Sequence, residues 1–169
     1  MYDKTVENTS PSLLRQGSAG QGNPFLEAAL QYAGRGWKVF PLKPRGKTPL
    51  VKGGFKAATT NPEQIAKWWG KWPQANVGIA TGQASGLIVL DIDGQEGLLT
   101  IGRLLSLYGR LPNTAVVRTA RGAHIYLKGN LHCKCSSADG LDVRGDGGYV
   151  VAPPSVHETG IVYSWERLP

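Results

Sequence analysis

The chain has 169 residues, 41% of them hydrophobic and 18% charged, with a formal net charge of +7. This is the composition of an ordinary soluble globular protein, long enough for one domain with its own core. No apolar run approaches the ~20 residues of a membrane helix, and the N-terminus shows no basic-then-apolar signal pattern.

Residues 1–22 mix Ser, Gly, Gln, Asn and charges without periodicity and read as a flexible leader, with the folded domain expected over 23–169. Order begins at Asn23, an N-cap residue, with Pro24 suited to the first helical position. Phe25, Ala29, Leu30 and Ala33 give a helical stripe, stopped by Gly34 and Gly36. "WKVFPL" reads as a short strand, and "KPRGKTPLVKGGFKAATT" as a basic loop rich in turn residues. A second helix opens at Asn61-Pro62, with Gln64 placed for a capping box. Its Ile65, Trp68, Trp69 and Trp72 fall on helical spacing and are assigned to the core.

The charge is concentrated in this first part. Residues 35–71 hold Arg35, Lys38, Lys43, Arg45, Lys47, Lys52, Lys56, Lys67 and Lys71 against Glu63 alone. Such a segment suits a polyanion such as nucleic acid or a nucleotide, although a solvated lysine surface has the same composition.

"NVGIAT" is the next strand, followed by "GLIVLDIDG". Leu87 to Leu90 read as buried strand, yet Asp91 and Asp93 close it, and residues two apart in a strand share a face. Two carboxylates on one face repel and lose solvation, which a divalent cation relieves. A strand-end turn, with one acid capping the following helix and the other solvated, is the competing reading. The third helix carries Leu98, Ile101, Leu104, Leu105 and Tyr108 and ends at Gly109.

After it come "TAVVRT", "AHIYLKG", "LDVRG", "GYVVAPPS" and "IVYSWE", all strand-like with turns between them. Helices early and strands late predict an α+β domain around a largely antiparallel sheet. Within "RTARGAHIYLKG", the small Gly122 and Ala123 let backbone approach a ligand before His124, with Arg118 and Arg121 nearby for phosphates. In "GLDVRGDGGYVVAPPS", Asp142 sits in an apolar strand with Arg144 on its face, and Tyr149 opens a strand expected beside it. Asp146 reads as part of a hairpin turn. Were their strands neighbours, the three carboxylates would complement two divalent ions, the arrangement used in phosphoryl and nucleotidyl transfer. Cys133 and Cys135 are the only cysteines, too few for a disulfide framework, so a reducing cytoplasm is expected.

These stretches resemble the three motifs of the archaeo-eukaryotic primase superfamily: "LIVLDID", "GAHIY" and "LDVRGDGGYVVAPPS". The chain is most similar to the prim-pol branch, the bifunctional DNA primase/polymerase N-terminal domain of plasmids, phages and mobile elements. "GWKVFPLKPRGKTPL", "WWGKWPQANVGIATGQ" and "YSWE" agree, so the resemblance covers roughly residues 25–166. It implies an RRM-like sheet with an accessory αβ unit and template-dependent nucleotide polymerisation on DNA, using two Mg²⁺ or Mn²⁺ ions and (d)NTPs.

Under that resemblance Asp91, Asp93 and Asp142 would hold the metals, and His124, helped by the Gly122 backbone, would contact the incoming triphosphate. Arg144 and Lys47 would make further phosphate contacts, and Tyr149 would meet the sugar. Lys43, Arg45, Lys47 and Lys52 are the DNA-binding candidates. Some members carry Asp-x-Glu where this chain has Asp-x-Asp. Others hold a zinc stem near the histidine, but His132, Cys133 and Cys135 in "LHCKC" are too tightly spaced for a tetrahedral site, and no structural zinc is expected. No Walker A pattern occurs, so a helicase would be a separate domain or protein.

Three rivals remain. "LIVLDIDG" also resembles the first motif of haloacid-dehalogenase-type phosphatases, but Gln95 stands where Thr belongs and no later acidic pair follows a strand. A nucleotide-sugar transferase using Asp-x-Asp leaves the His124 and Asp142 segments unexplained. An inactive nucleic-acid-binding module would keep carboxylates that repel DNA.

Overall fold

In the computed structural model, which describes residues 22–129 and 136–169, both early helices start on an asparagine cap. The Asn23 side chain accepts hydrogen bonds from the Phe25 and Leu26 N–H groups and opens α1 (Pro24–Gly34). Asn61 does the same for the Gln64 N–H and opens α2 (Pro62–Lys71). The reciprocal half of the capping box is replaced, because the Asn61 N–H donates to Thr59 Oγ1. Ile65 and Trp69 are buried, while Trp68 and Trp72 pack half-buried against the same core. The tryptophan cluster is therefore structural. A third helix, α3 (Gly94–Tyr108), follows later in the chain, and a 3₁₀ turn at Gly54–Ala57 interrupts the basic loop. None of the described helices is long and apolar enough to cross a membrane.

The strands are β1 (Val39–Leu42), β2 (Asn76–Ala80), β3 (Leu87–Asp93), β4 (Val116–Arg118), β5 (Gly122–Lys128), β6 (Ser136–Ala138), β7 (Leu141–Arg144), β8 (Tyr149–Ala152) and β9 (Ser164–Arg167). They form a small sheet in the order β1-β2-β8 and a larger one in the order β6-β7-β3-β5-β4-β9. Every pairing among the described strands is antiparallel. The α+β fold expected from the sequence is the fold observed, with α1, α2 and the small sheet as the accessory unit.

One expectation about neighbours is corrected. Tyr149 opens a strand that pairs with β2 in the small sheet, not with the strand bearing Asp142. The glycine-rich turn between them carries the chain from one sheet to the other and is docked on the segment after β2. Thr81 donates through Oγ1 to the Gly145 carbonyl and through N–H to that of Gly148. Asp146 accepts the Gln83 N–H at 2.6 Å, so it is a strut between sheets rather than a simple hairpin residue. Gly82 is required there: at φ 71° its added Cβ would lie 2.1 Å from Asp146 Oδ1.

Two apolar clusters decide which way the acids face. Leu87 and Val89 join the main core with Val117, Tyr126, α1, α2 and the small sheet, whereas Ile92 packs with Ile101 and Leu141 beneath α3. By strand alternation, Asp91 and Asp93 share the face of Val89 and look toward the accessory unit, away from α3. Helix α3 buries only Gly97 and Ile101 of its length; Leu98, Leu105 and Tyr108 stay exposed. Contact is made by backbone instead: a Cβ on Gly97 would sit 2.3 Å from the Gly140 carbonyl oxygen. Residues 1–21 of the expected leader (1–22) and the residues His132, Cys133 and Cys135 lie outside the described residues.

Candidate active site

The ladder of the larger sheet places three sequence-distant side chains abreast. Asp91 is the cross-strand partner of Asp142 on β7 and of His124 on β5. Directly opposed residues point to the same face, so Asp142, Asp91 and His124 form one row. Asp93 lies two residues on, opposite Gly122, and Arg144 lies two residues from Asp142, opposite Val89.

The charges in the row are closely matched. Arg144 Nη2 donates to Asp142 Oδ2 and, at 3.2 Å, to Asp91 Oδ2. His124 Nε2 lies 3.3 Å from Asp91 Oδ1. Burial alone would raise the Asp91 carboxyl, but the His124 hydrogen bond and the charge and hydrogen bond of Arg144 outweigh it and hold the group below its ordinary range. His124 itself is only 5% exposed, and its Nδ1 has no partner among the described residues. The tautomer with its proton on Nε2 suits both facts, since a bare acceptor is cheaper to bury than a bare N–H.

Asp93 is bound by Arg121, which donates through Nε to Oδ1 at 2.8 Å and through Nη2 to Oδ2. Although Asp93 stands at the N-cap position of α3, its side chain makes no cap bond. Neither acid of the pair caps the helix, which removes the strand-end-turn reading. Arg118 turns elsewhere and pairs with Glu166 at 2.8 Å. Gly122 has a packing reason to be glycine, because a Cβ there would lie 2.0 Å from the Ile92 carbonyl oxygen.

The row forms the floor of a cleft of about 640 Å³ between the two sheets. Arg45, Gly46, Lys47 and Thr48 make one wall, Thr119 to Arg121 another, and Val156 to Thr159 with Tyr163 the third. A smaller adjoining hollow of about 230 Å³ reaches Gly147, Gly148 and Tyr149. The Tyr149 hydroxyl donates to the Lys47 carbonyl at 3.0 Å, and its ring meets Phe40 edge-on and Phe55 in a stack. The four basic candidates thus divide: Arg45 and Lys47 line the cleft, while Lys43 and Lys52 are exposed outside it.

Sequence reasoning missed Asn76, His157 and Tyr163. Asn76, 1% exposed, donates to the Gly46 and Val156 carbonyls at 3.0 and 2.8 Å and accepts the Val156 N–H at 2.9 Å. A polar residue heading the apolar run "NVGIA" was the available signal. Tyr163 is 4% exposed, and burial pushes its hydroxyl up to about 12.

Carboxylates are the hard oxygen donors that Mg²⁺ or Mn²⁺ prefers, so the donor set of Asp91, Asp93 and Asp142 fits such ions. As they stand, Asp93 is paired with Arg121, and Asp91 and Asp142 share Arg144. Among the described residues no three His, Cys, Asp or Glu side chains are gathered tightly enough to cage a metal.

Residues 29–169 match the family model described as bifunctional DNA primase/polymerase, N-terminal. No curated protein matches the chain.

Proposed function

Because the chain belongs to the bifunctional DNA primase/polymerase N-terminal family, we propose that it joins (d)NTPs to a 3′-hydroxyl on a DNA template, in the replication of a plasmid, phage or other mobile element. The observation that carries this reading is the Asp142–Asp91–His124 row, with Asp93 on the same face, on the floor of a cleft that Arg45, Lys47, Arg121 and Arg144 also line.

In this reading Asp91, Asp93 and Asp142 hold two divalent ions, which when bound lower the pKa of the attacking hydroxyl and offset charge on the leaving pyrophosphate. Asp91 stays ionised at neutral pH through His124 and Arg144, ready to act as a ligand. Arg144 and Arg121 are now paired with the carboxylates, and they are long enough to exchange those partners for phosphate oxygens. Lys47 and Arg45 add positive charge from the opposite wall, and the backbone at Gly122 borders the floor. His124, beside Asp91 in the row, fixes its carboxylate and borders the triphosphate. Tyr149, in the adjoining hollow, is placed to meet the nucleotide sugar, while Lys43 and Lys52 extend the basic surface toward template and primer. A helicase domain or protein would supply unwound template, and the protein would act in the cytoplasm.

No feature of the cleft favours a phosphatase: the acid beside Asp91 is Asp142 on an adjacent antiparallel strand, not an acidic pair after a later strand. Primer extension on a primed DNA template, with and without Mn²⁺, tests the proposal. Metal-dependent incorporation is expected, and its absence in folded protein would leave a nucleic-acid-binding module.

A further inference from the structure

His157 lines a wall of the cleft whose floor carries the carboxylate row, and the motifs give it no part in the chemistry. Its ring is oriented by its own turn. Thr159 donates its backbone N–H to Nδ1 at 3.3 Å, and its Oγ1 lies 2.9 Å from the same atom. A nitrogen that accepts a backbone N–H carries no proton, so the neutral ring holds its proton on Nε2.

The turn is fixed on both sides of the histidine. Preceding it, Val156 is bound through both N–H and carbonyl by buried Asn76, which also binds Gly46. Following it, the Glu158 carbonyl accepts from Arg45 Nη2 at 3.1 Å. The His157 N–H donates to the Ile161 carbonyl at 2.8 Å and closes the turn. Arg45 holds a left-handed backbone at φ 54°, an unfavourable conformation for arginine, and this bond to the turn helps to keep it there. A half-buried histidine held to this degree on the lining of the cleft is a preorganised donor.

His124 is the contrasting case. Its Nε2 is directed at Asp91 and its Nδ1 is enclosed. Buried Tyr163 lies between the two histidines, with ring centroids 6.0 Å from His124 and 6.3 Å from His157.

Resting on the nucleotidyl-transfer reading, we propose that His157 is a binding residue for the incoming nucleotide, donating its Nε2–H to a non-bridging phosphate oxygen. His124 is then chiefly a positioning residue that orients Asp91.

The test is direct titration with two probes in Mg²⁺ without primer: a non-hydrolysable deoxynucleoside triphosphate analogue, and inorganic tripolyphosphate. His157→Ala should weaken both by roughly tenfold to hundredfold, the range for losing one hydrogen bond to a charged group. His157→Gln, which restores an N–H donor, should recover most of the affinity. In primer extension His157→Ala should raise KM more than it lowers kcat. If His157→Ala does not fold, His157→Phe, which keeps a ring without the donor, is read in the same way. Unchanged affinity, weakening toward the analogue but not tripolyphosphate, or a His157→Gln loss equal to that of His157→Ala would overturn the inference; the last result would mean that the histidine only caps its turn. If the unaltered protein binds neither probe, both this inference and the nucleotidyl-transfer reading fall.

Discussion

Asp91 stands directly opposite Asp142 in the β3–β7 ladder, and the two carboxylates share one guanidinium, that of Arg144. Alone, each acid would be an ordinary strand-end residue. Paired, they form a concentrated negative charge that the protein must neutralise with a cation of its own or from solution.

The first prediction concerns activity. Replacing Asp91 and Asp93 together by Ala, or Asp142 by Asn, should lower nucleotide incorporation by roughly hundredfold or more, since loss of an outer-shell partner alone costs 10–100-fold. The fold should survive, with some loss of stability for Asp91, because none of the three acids belongs to either apolar cluster. Primer extension read beside the thermal midpoint checks both halves; near-native activity in a folded variant would exclude these residues as ligands.

A second prediction follows from the depressed Asp91 carboxyl. A group held below its unfolded value stabilises the fold above that value and loses the contribution as pH falls through the folded one. The Asp91 contribution is therefore present at neutral pH and disappears below about pH 4, the ordinary carboxylate value. Urea midpoints against pH should fall less steeply in acid for Asp91→Asn. For Arg144→Met the midpoint should already be lower at neutral pH and should also fall less steeply in acid, because two opposed carboxylates without their cation hold protons more tightly and protonation relieves their repulsion. Coincident curves for all three proteins would show that the row is not electrostatically coupled.

Much of the site was legible in the sequence, though for two different reasons. Strand alternation alone put Asp91 and Asp93 on one face, and that is where they lie. That Asp142 and His124 flank Asp91 came from the motif resemblance, because no spacing rule specifies which strands become neighbours. For the same reason the "GDGG" turn misled: its residues permit a hairpin, but its destination is set by Thr81 and Gln83, more than sixty residues earlier. The seating of α3 could not be read from its leucines, because Ile101 is its one buried large apolar residue and the close approach of Gly97 to Gly140 has no apolar signal.

The third prediction separates the basic residues. If Lys43 and Lys52 bind template phosphates, replacing both by Ala should flatten the slope of log affinity for DNA against log salt. The change should be about 0.7–0.9 for each phosphate that is no longer neutralised. Neutralising Lys43, Arg45 and Lys47 should also flatten it, with an added loss of nucleotide affinity from the two cleft residues. An unchanged slope would assign this surface to solvent.

The fourth prediction concerns the sugar. Tyr149→Ala should alter the ratio of ribo- to deoxynucleotide incorporation, measured by single-nucleotide extension with matched dNTP and NTP. The hydroxyl of Tyr149 is engaged with the Lys47 carbonyl, so contact with the sugar would fall to the ring, and Tyr149→Phe should leave the ratio intact. Equal losses for both nucleotides in Tyr149→Ala would make the tyrosine a prop for the Lys47 loop.

The Asn76 side chain joins two cleft walls that come from opposite ends of the chain, bonding Gly46 on one and Val156 on the other. Neither wall can retract without releasing its bond to the other. Opening of the cleft is then a single cooperative event, in which both loops share one opening free energy. In amide hydrogen exchange the Val156 N–H would report it by exchanging together with the Lys43 N–H, which closes the basic loop on Thr48. With Ala at position 76 the two amides would exchange at unrelated rates, and the cleft would become two loops that happen to face each other.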